Sequence, residues 1–532
     1  MISRRQLFWA PLAAATQTAA RPNIVVILVD DMGFSDLGCY GSEIPTPNLD
    51  RLAANGLRFT QFYNMARCSP SRAALMTGLY PHNAGMGHLD NLVRENSRGY
   101  TGKLSEECVT IAEVLGDAGY FTGMTGKWHL GQQHGTPPWK RGFQRALNSP
   151  FGESYFPGQM QRNGQRLKLY LNGNEIASDG PEVGDKWYSA DLWTDFALRF
   201  AGEAVKQGKP FFQYIAHNGP HFPLMAPQED IARFRGKYKE GWDNLRFARH
   251  ARQKQMGLLD PKWPLTERPP DVPAWDSLDE KARDRFDHIM AIYAAILSRI
   301  DRSVGTLVDG LTKLGVLDNT LILFMSDNGG NAESGPNGTT VGSPLGGPTS
   351  NVFLGMNWAT LNNTPFRRYK HFTHEGGIST PLIAHWPRGI ADNRRGKFVH
   401  DPAHLVDIMP TAVELAKTRY PSTRNGHRIL PAAGVSLTPA FTGKRIKRSD
   451  PLFIFHEGNR CVRDGKWKLV MKYTGEWELY DIDADRTELH NLAAANPRIV
   501  KDLAARWDAW AARTYAEPWI GPARNDWGAE TK

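Results

Sequence analysis

The chain has 532 residues, too many for one simple hydrophobic core, and its 41% hydrophobic content is typical of a globular protein, so we expect a large domain and at least one smaller one. The formal net charge is +9, but charges of both signs are interspersed without a basic tail or a dense Lys/Arg run, so nucleic acid is not an expected partner. Four cysteines are far too few for a scaffold built from disulfides.

The first twenty residues have the pattern of an export signal. Ser3-Arg4-Arg5 and the residues after it resemble a twin-arginine motif, and an apolar stretch at 10–15 follows. Because that stretch is short, an ordinary secretory signal or a disordered leader stays open. No later segment approaches the roughly 20 continuous apolar residues that a membrane-spanning helix needs. We therefore expect a periplasmic or secreted protein without a membrane span, with residues 1–20 as its signal.

The rest of the chain alternates predicted strands and helices, which is typical of an α/β fold. The run from Asn23 to Val29 (NIVVILV) is continuously apolar and β-branched, as in a strand buried on both faces of a sheet. Further strands are predicted at 210–215 and 320–325, and helices at 48–56, 110–118 and 285–314. The middle, from about 150 to 273, is rich in Trp, Pro and Gly and predicts loops over the scaffold.

Beyond about residue 442 the pattern changes to that of a small α+β subdomain. The stretches 460–470 and 477–481 predict a strand meander, and 497–515 predicts a helix. The sequence thus predicts a larger domain at 22–441 and a C-terminal subdomain at 442–532.

Acidic residues follow two of the predicted strands. Asp30-Asp31 come after the first strand, and Asp327-Asn328 come after the strand at 320–325. In open α/β sheets ligands gather at the carboxyl ends of strands, so the two pairs can face one another. Carboxylate and amide oxygens are hard ligands, which favours Ca²⁺ or Mg²⁺ over zinc. An Asp pair after a strand is more often only the start of a loop.

The run ARCSPSRAALMTG places Cys68 at the start of a predicted helix. Pro70 suits the first helical turn, and Ser69 is a natural N-cap. The N–H groups and dipole of a helix N-terminus favour negative charge, and Arg72 lies one turn later. The pattern predicts a site for an oxyanion ester, although a lone cysteine is more often buried or disulfide-bonded.

Two motifs resemble the signatures of the sulfatase family. The first is CSPSR at 68–72 with Thr77-Gly78, and the second is GYFTGMTGKWH at 119–129; the resemblance extends from Asn23 to about Leu492. It implies an alkaline-phosphatase-like α/β fold, with a large mixed, mainly parallel sheet flanked by helices and a small C-terminal α+β subdomain with an antiparallel sheet.

The resemblance also implies two cofactors. Cys68 would be converted to formylglycine, an aldehyde, by a formylglycine-generating or sulfatase-maturating enzyme. One calcium ion is implied rather than magnesium, held by Asp30, Asp31, Asp327, Asn328 and the modified Cys68.

Further catalytic residues come with the same resemblance. Arg72, Lys127 and Lys370 would contact the sulfate group, His129 would handle the proton of the aldehyde hydrate, and His221, in a PHxP element, would lie near the leaving-group oxygen. Two of these positions have close alternatives, namely His217 for His221, and Arg367, Arg368 or His371 for Lys370. The chain departs from the family pattern at Ser379, where Arg is usual, and at Arg67, where a small or apolar residue is usual.

These residues predict hydrolysis of sulfate esters, in biology those of a sulfated carbohydrate, with aryl sulfates as surrogate substrates. One alternative is a phosphomonoester, phosphodiester or phosphonate hydrolase of the same superfamily. Another is an unmatured, non-catalytic protein that binds sulfated glycans. Candidate residues on the substrate side are His456, Glu457, Asn459 and Arg460 in the C-terminal subdomain. Sugar rings could also stack on tryptophans of the middle segment, although packing is their commoner role: Trp187, Trp193, Trp242, Trp263 and Trp275.

Overall fold

The computed structural model describes residues 21–152, 154–160 and 164–529. The predicted export signal at 1–20 lies outside these residues. The first half of the chain forms β1 (Asn23–Val29), α1 (Pro47–Ala54), β2 (Leu57–Tyr63), α2 (Cys68–Thr77), α3 (Ile111–Asp117), β3 (Phe121–Lys127), β4 (Arg145–Ser149), β5 (Lys168–Leu171), β6 (Asn174–Ala177), α4 (Ser189–Lys206), β7 (Phe211–Ala216), α5 (Gln228–Ala232) and α6 (Gly241–Gln255).

The second half forms α7 (Glu280–Lys313), β8 (Thr320–Ser326), β9 (Thr339–Val341), β10 (Asn351–Phe353), α8 (Met356–Asn362), α9 (Glu375–Ile378), β11 (Ser379–His385), β12 (Lys397–Val399), β13 (Ala403–His404), α10 (Ile408–Leu415), β14 (Thr423–Arg424), β15 (His427–Arg428), α11 (Thr438–Phe441), β16 (Leu452–His456), β17 (Asn459–Asp464), β18 (Trp467–Met471), β19 (Glu478–Asp481) and α12 (Pro497–Arg513).

An eleven-stranded sheet forms the centre of the molecule. Its order is β12-β2-β11-β8-β1-β7-β3-β4-β5-β6, with β13 also paired to β2. The strands from β8 to β4 run parallel, whereas β11, β5 and β6 are antiparallel to their neighbours. Alternate residues of β1 enter two different hydrophobic clusters, one with α4 and α7 and the other with α2, α3 and α10. Helices thus cover both faces, which explains the continuous apolar run in β1.

The C-terminal subdomain is a four-stranded antiparallel meander, β16-β17-β18-β19, with α12 packed on it. Its core residues belong to the same hydrophobic cluster as α2 and α10. The architecture confirms the predicted fold class. Within the predicted meander, the stretch 460–470 covers two strands, β17 and β18, which turn at Gly465, where φ is 54°.

The middle segment is more helical than the sequence predicted. α4 and α6 lie there, and α4 buries one face against α7. Its tryptophans mostly pack in the core: Trp193, Trp242 and Trp275 are at most 3% exposed. Stacking on a sugar is therefore excluded for these three side chains. In the described part of the chain, no helix has the length and apolarity to cross a membrane.

Buried ion pairs fix the C-terminal sheet to the larger domain. Lys468 Nζ lies 2.8 Å from Glu375 Oε1, and Arg486 Nε donates to Glu375 Oε2 at 3.0 Å. Arg486 Nη2 also donates to Ser379 Oγ at 2.7 Å. Arg486 of the C-terminal subdomain thus places a guanidinium next to Ser379, the position where the sequence departs from the family pattern.

Candidate active site

Three carboxylates and an amide meet at the carboxyl end of the central strands. β1 and β8 are adjacent and parallel, with Val29 opposite Ser326, so the residues after each strand lie side by side. Asp30, Asp31, Asp327 and Asn328 are all at most 2% exposed. The structure therefore brings together the four oxygen ligands that the sequence predicted.

Each of these carboxylates faces a buried cation. Lys127 Nζ lies 2.6 Å from Asp30 Oδ2, and Lys370 Nζ lies 2.7 Å from Asp31 Oδ1. Arg72 donates through Nη2 to Asp327 Oδ2 at 2.8 Å and lies 3.4 Å from Asp30 Oδ2. Removing any partner would leave a buried charge unpaired, which is costly. The cluster therefore behaves as one electrostatic unit.

The carboxylates differ in how readily they bind a proton. Burial raises the pKa of Asp30, but Lys127 and the other cations outweigh it and hold the pKa well below its ordinary value. Burial and the nearby charge of Asp30 raise the pKa of Asp327 to about 7, against the effect of Arg72. The surroundings of Asp327 therefore favour its protonated form more than those of Asp30 do.

Cys68 lies directly beside this cluster. It is the first residue of α2, with Arg67 as the N-cap, so the helix begins before the predicted cap Ser69. Its Sγ and ligand atoms of Asp30, Asp31 and His221 all lie within 4.8 Å of one another. Burial raises the pKa of the thiol to about 12, although Lys370 lowers it. The unmodified thiol is therefore neutral at physiological pH and is a poor nucleophile.

The second motif places Lys127 and His129 differently from the predicted extended stretch. β3 ends at Lys127, and His129 has a left-handed backbone with φ of 56°. This conformation is uncommon for a residue with a Cβ and is typical of functional sites. His129 Nε2 lies 3.6 Å from Asp90 Oδ1, and burial, followed by the charge of Lys127, holds the pKa of His129 well below its ordinary value. Its imidazole is therefore neutral at physiological pH.

His221 faces the carboxylates, whereas its neighbour His217 does not. His221 Nε2 lies 3.7 Å from Asp31 Oδ2, and its Nδ1 lies 2.6 Å from the Phe222 carbonyl oxygen. Burial lowers the pKa of His221, against the charge of Asp31. His217 donates its backbone N–H to the Leu28 carbonyl at 2.8 Å, and burial lowers its pKa to about 3. The geometry favours a supporting role for His217.

The contacts of Lys370 also distinguish it from the three alternative residues. Only its ammonium, among those four side chains, contacts a predicted metal ligand in the described structure. Arg367 pairs with Glu478, Arg368 pairs with Asp526, and His371 contacts Glu457.

A buried charged network that the sequence analysis missed begins next to Cys68. Arg67 and His371 both pair with Glu333. His371 Nδ1 lies 2.8 Å from Glu457 Oε2, and Arg524 donates to both oxygens of Glu457. Glu457 is one of the predicted substrate-side residues and Arg67 is a departure from the family pattern, but no sequence pattern predicts the pairs that join them through Glu333 and His371. Their chemical significance depends on long-range contacts that sequence spacing cannot show.

His456 and Arg460, two of the predicted substrate-side residues, lie in different surroundings. His456 is fully buried, and its ring lies 5.2 Å from that of His88 and 5.8 Å from that of His371, so it belongs to the edge of the network. The guanidinium of Arg460 lies 4.4 Å from the ring centre of Trp507 in α12. The structure therefore groups His456 with the site and gives Arg460 a packing contact instead.

The donor atoms fit a hard cation. Asp30 Oδ1 and Asn328 Oδ1 are buried and accept no hydrogen bond from the described residues. Unpaired buried oxygens are unfavourable unless another partner satisfies them. Asn331, a further residue missed from the sequence, donates to Asp31 Oδ2 at 2.8 Å and steadies that carboxylate. Its position in the sequence, three residues after Asn328, could have indicated that it lies near the same cluster.

The chain is similar to known sulfatases over most of its length. The Sulfatase family model matches residues 22–418, and the model described as "N-sulphoglucosamine sulphohydrolase, C-terminal" matches residues 367–509. An uncharacterized sulfatase of Schizosaccharomyces pombe is 33% identical, covering 93% of this chain and 94% of that protein. The arylsulfatase of Klebsiella aerogenes is 32% identical, with 81% and 94% covered. The crystal structure of Ps i-CgsB is 29% identical, with a TM-score of 0.68 and with 92% of this chain and 93% of that one covered.

Proposed function

We propose a reaction route and a substrate for this chain, which belongs to the sulfatase family and is a sulfuric ester hydrolase. The substrate is a sulfate ester of a carbohydrate, and the route uses formylglycine at position 68 and one calcium ion. The observation that carries the proposal is the juxtaposition of Cys68 with buried carboxylates and cations at one edge of the sheet.

The two cofactors have defined places among these side chains. Asp30, Asp31, Asp327, Asn328 and the modified residue 68 would hold calcium, which supplies positive charge to the sulfate oxygens and acidifies a bound hydroxyl. The hydrated aldehyde supplies a hydroxyl nucleophile that a thiol or serine cannot replace catalytically. The unpaired oxygens of Asp30 and Asn328 support this placement.

The chain's own residues have separate roles in this reaction. Lys127 and Lys370 neutralise negative charge on the sulfate group, and the buried Arg72 holds Asp327 in place. Asp327 accepts the proton of the attacking hydroxyl. His221 donates a proton to the departing alcohol, and the neutral His129 accepts the proton of the second hydroxyl.

His221 should control the alkaline side of the pH profile for poor leaving groups. Its Nδ1 faces the Phe222 carbonyl, so Nε2 carries a proton to donate only when the ring is cationic. Because its pKa is lowered, kcat/KM for a sugar sulfate should fall as pH rises through a value below about 6.5. His221→Gln should lose roughly 10²-fold in kcat with a sugar sulfate and much less with nitrophenyl sulfate.

The matched control is His217→Gln, which should keep the decrease of kcat/KM with rising pH. Steady-state rates of the three proteins across pH, with both substrates, provide the measurement. If kcat/KM of His221→Gln still falls with rising pH in the same range, then another group, such as Lys370, is the proton donor.

Calcium removal should destabilise the folded protein. A ligand that binds only the native state at a hundredfold excess over Kd adds about 2.7 kcal/mol to the free energy of unfolding. Thermal unfolding with a chelator and with added Ca²⁺ should therefore differ, and magnesium should restore less. Asp31→Asn should abolish the calcium response, whereas Asp301→Asn, a buried carboxyl that binds Asn48, should retain it. An unfolding temperature independent of calcium in the wild-type protein would contradict the assigned ion.

Turnover of matched esters tests the proposed reaction against its alternatives. Purified protein from a host with a maturing enzyme should hydrolyse a sulfate ester much faster than the phosphate monoester, phosphate diester or phosphonate ester of the same alcohol. Faster turnover of the phosphate or phosphonate ester would support a phosphate or phosphonate hydrolase. Binding of sulfated glycans without turnover would support a non-catalytic binding protein. A carbohydrate substrate is supported by the relative Ps i-CgsB, whose structure was also solved in complex with k-i-k-neocarrahexaose.

We also propose that the protein is exported and works in the periplasm or outside the cell, since residues 1–20 carry a twin-arginine-like pattern. Cell fractionation with sequencing of the mature N-terminus tests this directly. Full-length protein confined to the cytoplasm would contradict it.

A further inference from the structure

One phenylalanine stands exposed beside the lysine and histidine of the second motif. Phe151 is 46% exposed, and its ring centre lies 6.1 Å from that of His129 at an interplanar angle of 83°. The loop that carries it is fixed to the site, because His129 donates its backbone N–H to the Pro150 carbonyl at 2.9 Å. A Cβ added to Gly152 would lie 2.4 Å from Lys127 Cδ, so the loop rests on the lysine stem. Phe151 therefore lies at the mouth of the site.

Two more phenylalanines lie beside the proposed proton donor. The ring of Phe222 stacks on His221 with 4.2 Å between centres and also on Phe353 of β10 with 4.3 Å between centres. Lys370 Nζ lies 5.8 Å from the centre of the Phe222 ring. Both rings are partly exposed. The leaving-group side of the site thus carries an aromatic wall.

The sulfate group itself does not need these aromatic rings for binding. A sulfate needs cations and N–H donors, which the buried cluster provides. An exposed aromatic ring next to charged catalytic groups instead suits a ligand with a flat apolar face. Among the described residues, seven large hydrophobic side chains are exposed, and of these Phe151 is the one in ring contact with a catalytic candidate.

We propose that Phe151 and the Phe222–Phe353 pair are the specificity-determining residues for the alcohol part of the substrate, and that this alcohol is a ring with an apolar face. A pyranose and an aryl ring share this chemistry. The inference rests on the proposed function, and it adds which residues select the leaving group.

The experiment compares three sulfate esters and one inorganic inhibitor on each variant. Phe151→Ala, Phe353→Ala and Phe353→Leu are assayed with a monosaccharide sulfate, a phenyl-type sulfate, a short unbranched alkyl sulfate, and with inorganic sulfate as inhibitor. We expect kcat/KM for ring esters to fall roughly tenfold in each Ala variant, mostly through KM, because a stacking surface is lost. Alkyl sulfate turnover and inhibition by inorganic sulfate should change less than about twofold. Phe247→Ala, which removes a 65% exposed ring on α6, is the matched control and should change nothing.

The outcomes separate the two proposals. A larger loss for the saccharide than for the phenyl ester identifies a sugar subsite, and the reverse identifies an aryl subsite; both support the inference. Equal losses for ring and alkyl esters, or no loss for ring esters, overturn it while sulfate hydrolysis stands. If the wild-type protein turns over none of the sulfate esters, the proposed function fails and the inference fails with it.

Discussion

Replacing Cys68 with alanine should abolish turnover of sulfate esters while leaving the fold intact. The side chain is small and lies at the first position of α2, so its loss creates little cavity and breaks none of the three buried ion pairs. In the proposed route, however, the nucleophile is formed from this residue. We expect kcat to fall by roughly 10⁴-fold or more, measured with an aryl sulfate.

The matched control is Cys461→Ala, which removes another buried thiol in β17, away from the carboxylate cluster. It should keep wild-type turnover and show a small loss of thermal stability. The four cysteines, all within the described residues, are unpaired, so neither substitution breaks a disulfide. Substantial sulfate ester turnover by Cys68→Ala would remove residue 68 from the mechanism.

Replacing Arg72 with methionine should damage both stability and activity. Arg72 is fully buried between Asp327 and Asp30, and methionine fills similar space without charge. Two carboxylates then lose their shared cation, which costs about 3–5 kcal/mol of unfolding free energy in comparable buried pairs. The lost electrostatic support should also lower kcat by roughly 10³-fold. Denaturant unfolding and steady-state kinetics measure the two effects.

Calcium should partly rescue the stability of this variant, because a bound dication replaces the missing positive charge beside the same carboxylates. Arg445→Met is the control: its side chain is 83% exposed and pairs with Asp401, so its loss should cost less than about 1 kcal/mol. If Arg72→Met were as stable as Arg445→Met, the buried cluster would not be the electrostatic unit described above.

Local patterns predicted the central part of the fold well. The apolar runs of β1 and β8 are strands because both faces are covered by helices, and the Asp residues after them meet because the strands are neighbours. The helix α3 begins with Thr110 as its N-cap in a capping box with Glu113, close to the predicted start. The helices α4 and α6 were missed because proline-rich and glycine-rich flanks obscured their periodicity.

The candidate site was predictable where chemistry follows a motif and unpredictable where it depends on distant contacts. Cys68, Lys127 and Lys370 belong to recognisable patterns, and the structure places them together. The network through Glu333 and Glu457 joins segments far apart in sequence, so no local spacing signals it. Aromatic residues beside the site were expected among tryptophans, but the rings found there are phenylalanines from loops and from the separate two-stranded sheet of β9 and β10.

The mass of the proteolytic peptide that contains residue 68, from protein made in its native cell, tests the central proposal most directly. An aldehyde or its hydrate in place of the thiol is the predicted result, since the buried thiol is neutral and is a poor nucleophile. An intact cysteine in enzymatically active protein would contradict the formylglycine route.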